Sequence, residues 1–296
     1  VLKQLIVQVL SISWLALTAP AMADTTLQRK FQKGEAHRQQ MTFKRTIDRG
    51  TPNSQTENSE NLEMEFVCDD VLPSGVASLR QRLRRVRISM TEPDETLKYD
   101  TNEGAPNDLT LQQMDRIIRP MIGADWSMQC DTRGKISRVV LPEMALNALK
   151  ASPDAFGGKL FSEAGLKWIA EQAEISLPEK PVKPGDKWTT SNDVKAAFGT
   201  MNYQREYTFT GSDDKPGIEK IQVKVKIELK PDPDSKFPFI VKLISGSGSG
   251  DILFDNQLGR VARSHVKSKV VFEQSAPGVT RQLTFQTEET VERLAE

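Results

Sequence analysis

The chain has 296 residues, room for one large or two small domains, and its 40 Lys+Arg against 40 Asp+Glu leave no net charge. A chain without a global field is not drawn to nucleic acid or to an anionic membrane. Balanced charge with 38% apolar residues also argues against wholesale disorder, and 6% aromatics announce no aromatic-rich groove.

Residues 1–23, VLKQLIVQVLSISWLALTAPAMA, read as an export signal. Lys3 gives a short positive region, Leu5 to Ala19 an apolar one, and Ala21-Met22-Ala23 an A-x-A site, so cleavage is expected between Ala23 and Asp24. The apolar stretch is short for a membrane helix of about 20 residues. With no cysteine at the cleavage site to carry a lipid, the expectation is an exported protein, periplasmic or secreted, without a transmembrane span in its mature form.

The rest reads mainly as long strands. Glu63 to Asp69 is the first. Val76 to Met90 follows, with Leu79 and Leu83 on one parity and Val86, Ile88 and Met90 on the other. A strand that keeps both sets inward must absorb an extra residue near Arg84-Arg85, which is a β-bulge and bends the strand. Leu109 to Ile122 carries Leu111, Met114, Ile117, Ile118 and Met121 at helical spacing, with Asp108 as N-cap. Pro142 to Ala151 and Ser162 to Ala173 are shorter helical segments. Tyr203 to Thr210, Ile218 to Leu229, Val261 to Glu273 and Thr280 to Glu288 are strands. The clearest, IEKIQVKVKIEL, alternates strictly and so has one buried and one wet face. Residues 50–61 are a polar loop.

The two halves echo each other. Lys33-Gly34-Glu35 and Pro184-Gly185-Asp186 each precede a strand, and Asp131 to Gly134 and Asp255 to Gly259 are turns opened by Asp and closed by Gly. Both an internal repeat and generic hairpins produce such echoes. The proline-rich Pro178 to Lys187 is the best internal boundary. Residues 1–23 are therefore the signal, 24–177 an N-terminal β-rich half with the central helices, and 178–296 a C-terminal β-rich half that is either separate or continuous with the first.

Chemistry is sparse. His37 and His265 lie in strand-like segments beside charges, and HExxH, G-x-S-x-G and the phosphate-loop pattern are absent. Ser245 to Gly250, SGSGSG, reads as a hairpin connection or as a strand approached closely by another backbone. Cys68 and Cys130 permit one disulfide across about 60 residues in an oxidising compartment, or stand as two buried thiols. Asp69-Asp70 and Asp213-Asp214 read as acidic turns, and no metal site or cofactor is expected. Trp126, Trp168 and Trp188 read as core residues. The most basic segment, Arg80, Arg82, Arg84, Arg85 and Arg87, shares one face once the bulge is allowed for. It is an anion-site candidate, because guanidinium forks bind carboxylate and phosphate bidentately. The alternative is a solvated row paired with acidic neighbours such as Glu63 and Glu65.

Several short stretches between about Lys30 and Val291 carry a resemblance. They are Phe31-Gln32-Lys33-Gly34-Glu35, the Gly75 turn into a strand with Arg85-Val86-Arg87, Tyr99-Asp100, and the Gly134-Lys135-Ile136 turn opened by Asp131. Pro184-Gly185-Asp186-Lys187-Trp188 and the turn from Phe254-Asp255 to Gly259-Arg260 complete the set. In these the chain resembles an uncharacterised family of exported bacterial proteins carried as a domain of unknown function, from which no catalytic residues follow. More loosely it is similar to periplasmic lipoprotein-carrier folds, in which a curved, incomplete barrel encloses helices. That likeness concerns fold alone.

These readings converge on a β-dominated α+β protein. One or two curved antiparallel sheets form a partial barrel, with a few central helices over the concave face. The expected function is that of an exported, non-enzymatic binding or carrier protein for an apolar or amphipathic ligand. The alternative is a structural or interaction module of the cell envelope that binds protein or polysaccharide. The expected partners are a lipid-like small molecule or an envelope protein, and not nucleic acid.

Overall fold

A computed structural model describes residues 24–51, 54–150, 175–235 and 237–295. The expected signal and its cleavage point after Ala23, the helix from Ser162 to Ala173 and Trp168 lie outside the described residues. The strands are β1 (Ala36–Asp48), β2 (Thr56–Val71), β3 (Ala77–Thr91), β4 (Thr96–Asp100), β5 (Asp125–Cys130), β6 (Ile136–Val140), β7 (Lys187–Ala196), β8 (Gly199–Ser212), β9 (Ile218–Pro231), β10 (Ile240–Asp255), β11 (Arg260–Ala276) and β12 (Val279–Arg293). The helices are α1 (Leu109–Ile118) and α2 (Glu143–Lys150).

All of these strands join one unclosed antiparallel sheet in the order β6-β5-β3-β2-β1-β12-β11-β10-β9-β8-β7, with β4 as a short flap on β3. The chain starts at the centre of the sheet, meanders out to the β6 edge, crosses to the β7 edge and meanders back. Its last strand closes the seam against its first, from Gln39↔Arg293 to Asp48↔Thr284.

The expected bulge is present. The β2–β3 register passes from Glu63↔Arg85 to Met64↔Leu83, so Arg84 is the extra residue. Leu79, Leu83 and Val86 all reach the core as a result. The polar loop is shorter than expected, because residues from Thr56 onward already belong to β2.

The expectation of several helices over the concave face is corrected. Asp108 does cap α1, its carboxylate accepting from the Leu111 N–H at 2.9 Å, and Leu111 and Met114 bury into the N-terminal core. Among the described residues, however, the helices are two short ones, and the C-terminal half covers its own inner face by curling. That curl is visible in the contacts. Arg205 on β8 and Glu289 on β12 line one cavity, although four strand spacings separate them, which is about 19 Å across a flat sheet. Phe198, at the β7–β8 turn, meets Phe272 of β11 edge-on at 5.9 Å.

The SGSGSG run is what lets the sheet curl so tightly. It sits inside β10 with its serines outward, while Gly246, Gly248 and Gly250 pair with Val270, Ser268 and Val266 on the inner face. A Cβ on Gly248 would stand 2.6 Å from the Lys267 carbonyl oxygen, and one on Gly250 would stand 2.7 Å from the Val266 Cα. Neighbouring backbone therefore occupies the space that side chains would need.

The echo between the halves is a structural repeat. Gly34 donates to the Cys68 carbonyl and Cys68 to the Glu35 carbonyl, and likewise Gly185 to Phe209 and Phe209 to Asp186. A register shift falls between Cys68 and Asp70 in one half and between Phe209 and Gly211 in the other. A second falls at Gln129/Cys130 and at Leu253/Phe254. The plan β1-β2-β3-β5-β6 is thus repeated as β7-β8-β9-β10-β11. Each half has its own apolar cluster, centred on Phe66, Leu79 and Ile136 in the first and on Phe209, Ile221 and Phe254 in the second.

Candidate functional site

The arginine row lies on the outer face of β3 among carboxylates. Arg80 reaches Asp69 at 2.8 Å and Arg82 reaches Asp125 at 2.7 Å. Arg84 meets Glu65 at 3.6 Å, Arg85 meets Asp100 at 2.5 Å, and Arg87 meets Glu63 at 3.1 Å. The Asp100 carboxyl is held below its ordinary range chiefly by the hydrogen bond from Arg85. Each guanidinium of the row is within ion-pair distance of an acid, so the row is charge-matched along its length.

Cys68 and Cys130 are free, buried thiols, and the disulfide expected as one alternative is not made. Both flank β3, Cys68 opposite Leu79 and Cys130 opposite Ala77. Two strand spacings, about 10 Å, exceed the reach of a disulfide. Burial raises both thiols, Cys130 to about 11.

These thiols border a polar nest under the segment that precedes β1. Arg29 and Arg260 are buried there, and the Arg260 guanidinium donates to the Glu35 carboxylate. His37 stacks on Phe66 with centroids 5.1 Å apart and planes 9° apart. Burial lowers its pKa to about 3, helped by Arg260, Arg29 and Arg293, so it is neutral. The Asp-opened turns anchor the segment: Arg29 N–H donates to the Thr132 carbonyl and Lys30 Nζ to the Asn256 carbonyl. The cavity among these groups is about 30 Å³, which suits one or two waters. Its role is to lock the two halves together. Glu35→Gln, which leaves the Arg260 charge buried beside Arg29, should cost about 3 kcal/mol of stability in a urea melt.

His265 sits on the outer face against Glu288 at 2.7 Å. Trp188 stacks on Tyr207 at 5.4 Å and donates Nε1–H to the Ser176 carbonyl at 2.7 Å. Trp126 packs on the N-terminal core. Asp69 pairs with Arg80 and Asp213 with Lys220, and among the described residues no group of three or more His, Cys, Asp or Glu is placed to hold a metal ion.

The most unusual interior lies in the curled half. Counting along the ladder, Arg205, the core residue Val225, Gly248, Ser268, Thr287, Arg45 and Asn58 fall in one inner row. Glu289 stands in the next row, opposite Phe43. The curl brings β8 toward β12 at this level. Arg205 and Glu289 share a cavity of about 40 Å³ with Tyr207 and Ser264. Burial pushes Glu289 up to about 7, against the opposing pull of Arg205. Tyr203 is raised by burial and feels both Arg205 and Arg45, although these come from β8 and β1. Arg45 lies 3.9 Å from Glu60. On one side of this layer is the packed core of Tyr207, Val223 and Ile252. On the other are half-buried apolar groups: Val270, Phe272 and Phe285, with the two rings edge-on at 5.8 Å. The inner face therefore runs apolar, polar, apolar along the strands.

The sequence reading missed this layer. Its signal was present as interruptions of inward alternation, Ser268 between Val266 and Val270, and Thr287 with Glu289 between Phe285 and Val291.

A family model matches residues 74–261, more than half of the chain, and its description is a family of unknown function, DUF6263. No curated protein matches the chain. No helix among the described residues is long and apolar enough to cross a membrane.

Proposed function

We propose, for a chain that belongs to the family of unknown function DUF6263, that it is an exported, non-enzymatic binding or carrier protein for an apolar or amphipathic ligand. The observation that carries this reading is the half-buried apolar stretch on the inner face of β11 and β12, formed by Val270, Phe272, Leu283 and Phe285, at the edge of the core against which Val270 and Phe272 pack. Apolar side chains left partly wet on a concave face favour an apolar occupant, because covering them removes area from water at about 25 cal/mol per Å². The enclosed cavities, about 40 and 30 Å³, suit water rather than a chain. A ligand would therefore lie along the open stretch. The charge-matched arginine row gives the envelope-module alternative less support.

Native mass spectrometry of the protein isolated from its own host without detergent tests both parts of the reading. The expected result is a chain beginning at Asp24 with added mass that leaves on denaturation and matches a lipid-like species. Bare protein at every charge state would overturn the carrier reading, and a retained residue 1–23 segment would overturn export.

A further inference from the structure

Ile240 is the most exposed of the large apolar side chains among the described residues, at 77%, and Val279 is 59% exposed. They stand at one end of the curled half. Ile240 opens β10 opposite Ser275, and Ser275 lies opposite Thr280, the neighbour of Val279 on β12. Two strand spacings, about 10 Å, therefore separate the pair. The β9–β10 connection brings Phe237, Pro238 and Phe239 to the same end, directly before Ile240. Connections in water favour Gly, Asn, Asp and Ser, so a tip of Phe, Pro, Ile and Val calls for a cover.

Two observations say what covers it. The first is layering. Lys242 and Arg281 are exposed, each two residues along its strand from the tip and so about 7 Å behind it. Arg281 is held in place, its Nε–H donating to the Gln274 side-chain oxygen at 2.8 Å and its guanidinium lying 5.8 Å from the centre of the Phe239 ring. Apolar groups outermost with cations one layer behind match the order of acyl carbons and phosphates in a bilayer. The second is continuity. Rings run without a break from the tip to the inner face: Phe239 to Phe237 at 5.8 Å, Phe237 to Phe198 at 5.7 Å, Phe198 to Phe272 at 5.9 Å and Phe272 to Phe285 at 5.8 Å. The last two belong to the half-buried apolar stretch on β11 and β12.

From these we infer that this end of the curled half docks on a lipid bilayer, with Phe239, Ile240 and Val279 among the outer acyl carbons and Lys242 and Arg281 at the phosphates. The inference goes beyond the carrier reading and uses it only for the purpose of docking: a ligand drawn from the bilayer reaches the inner face along the ring path without crossing water. Both signs of charge occur at this end. Asp232 and Asp234 follow Lys230, and the acidic β3–β4 turn of Glu92, Asp94 and Glu95 lies three strands along from β12. Docking is therefore driven by apolar area and not by net charge.

Flotation of the mature protein, beginning at Asp24, with phosphatidylcholine vesicles tests this. The protein should rise with the vesicles. Replacing a fifth of the lipid by phosphatidylglycerol, or raising salt to ~0.5 M, should change the half-binding lipid concentration less than about threefold. Ile240→Asp and Val279→Asp should each raise that concentration about tenfold. Leu109→Asp is the control: Leu109 is 75% exposed at the start of α1 in the other half, and its replacement should leave flotation unchanged. Wild-type protein that stays at the bottom, or tip variants that float like wild type, would overturn the docking. So would binding confined to anionic vesicles, or a dimer in gel filtration that Ile240→Asp dissolves, without flotation, which gives the tip to a second copy. Native mass spectra of the same protein keep the two readings apart. Protein that carries added mass and does not float overturns docking alone, whereas bare protein that floats through Ile240 and Val279 overturns the carrier reading alone.

Discussion

Gly250→Val should lower stability by about 3 kcal/mol, the upper end of what overpacking costs, because the new side chain meets backbone and not a movable side chain. Its Cβ would run into the His265 carbonyl oxygen and the Val266 Cα. Relief requires β10 and β11 to separate, which loosens the curl that brings β8 toward β12. Ser249→Val is the control. Ser249 is the exposed neighbour on the outer face, where a β-branched residue suits a strand and the change should stay within about 0.5 kcal/mol. Urea midpoints at an unchanged slope read the difference. If the two variants melted together, the glycine row would have no part in shaping the sheet.

The second large effect is on pH dependence, where two buried groups pull in opposite directions. His37 falls from 6.5 to about 3 on folding, so between these values the unfolded chain holds a proton that the native one lacks, and stability rises with pH. Glu289 rises from 4.5 to about 7, so between these values the native chain holds a proton that the unfolded one lacks, and stability falls with pH. The windows overlap from pH 4.5 to 6.5. There each group contributes about 1.4 kcal/mol per pH unit, with opposite sign. Their contributions cancel in the wild type, and single substitutions expose them. Relative to wild type, Glu289→Gln should gain about 3 kcal/mol as pH rises across that window, and His37→Gln should lose about as much. Denaturant melts at half-unit pH steps give both curves, and parallel profiles for the two variants would contradict the buried states assigned to these side chains.

Much of the architecture was legible because period-2 alternation reports a half-buried strand directly. β9 and the Arg84 bulge follow from parity alone. The repeat was visible through its turns, where Gly34 and Gly185 are needed at positive φ, 82° and 96°. Thr56 to Asn61 hid its strand because the segment is polar, and it extends only because β1 and β3 ladder it on both sides. β10 was legible only as one of two readings of its SGSGSG run, since Ser and Gly have low strand preference and the neighbouring strands impose the conformation. Helical coverage was overestimated for a related reason: a one-faced apolar strand shows that something covers it, not whether that is a helix or another part of the same sheet. Arg205 and Glu289 are far apart in sequence, and only the curl puts them on one cavity.

The seam between β1 and β12 also governs the order of assembly. Each half is a meander of neighbouring strands and can form from local pairings, yet the two halves join through residues about 250 positions apart. Loop closure on that scale is slow to reward. Until Val291 arrives, β1 presents one unpaired edge in what will be the middle of the sheet, and an open edge of this kind invites intermolecular pairing. Folding should therefore show a fast phase in which the two half-sheets form and a slower one in which the last strand docks. Chains released before residue 279 should be the ones that aggregate.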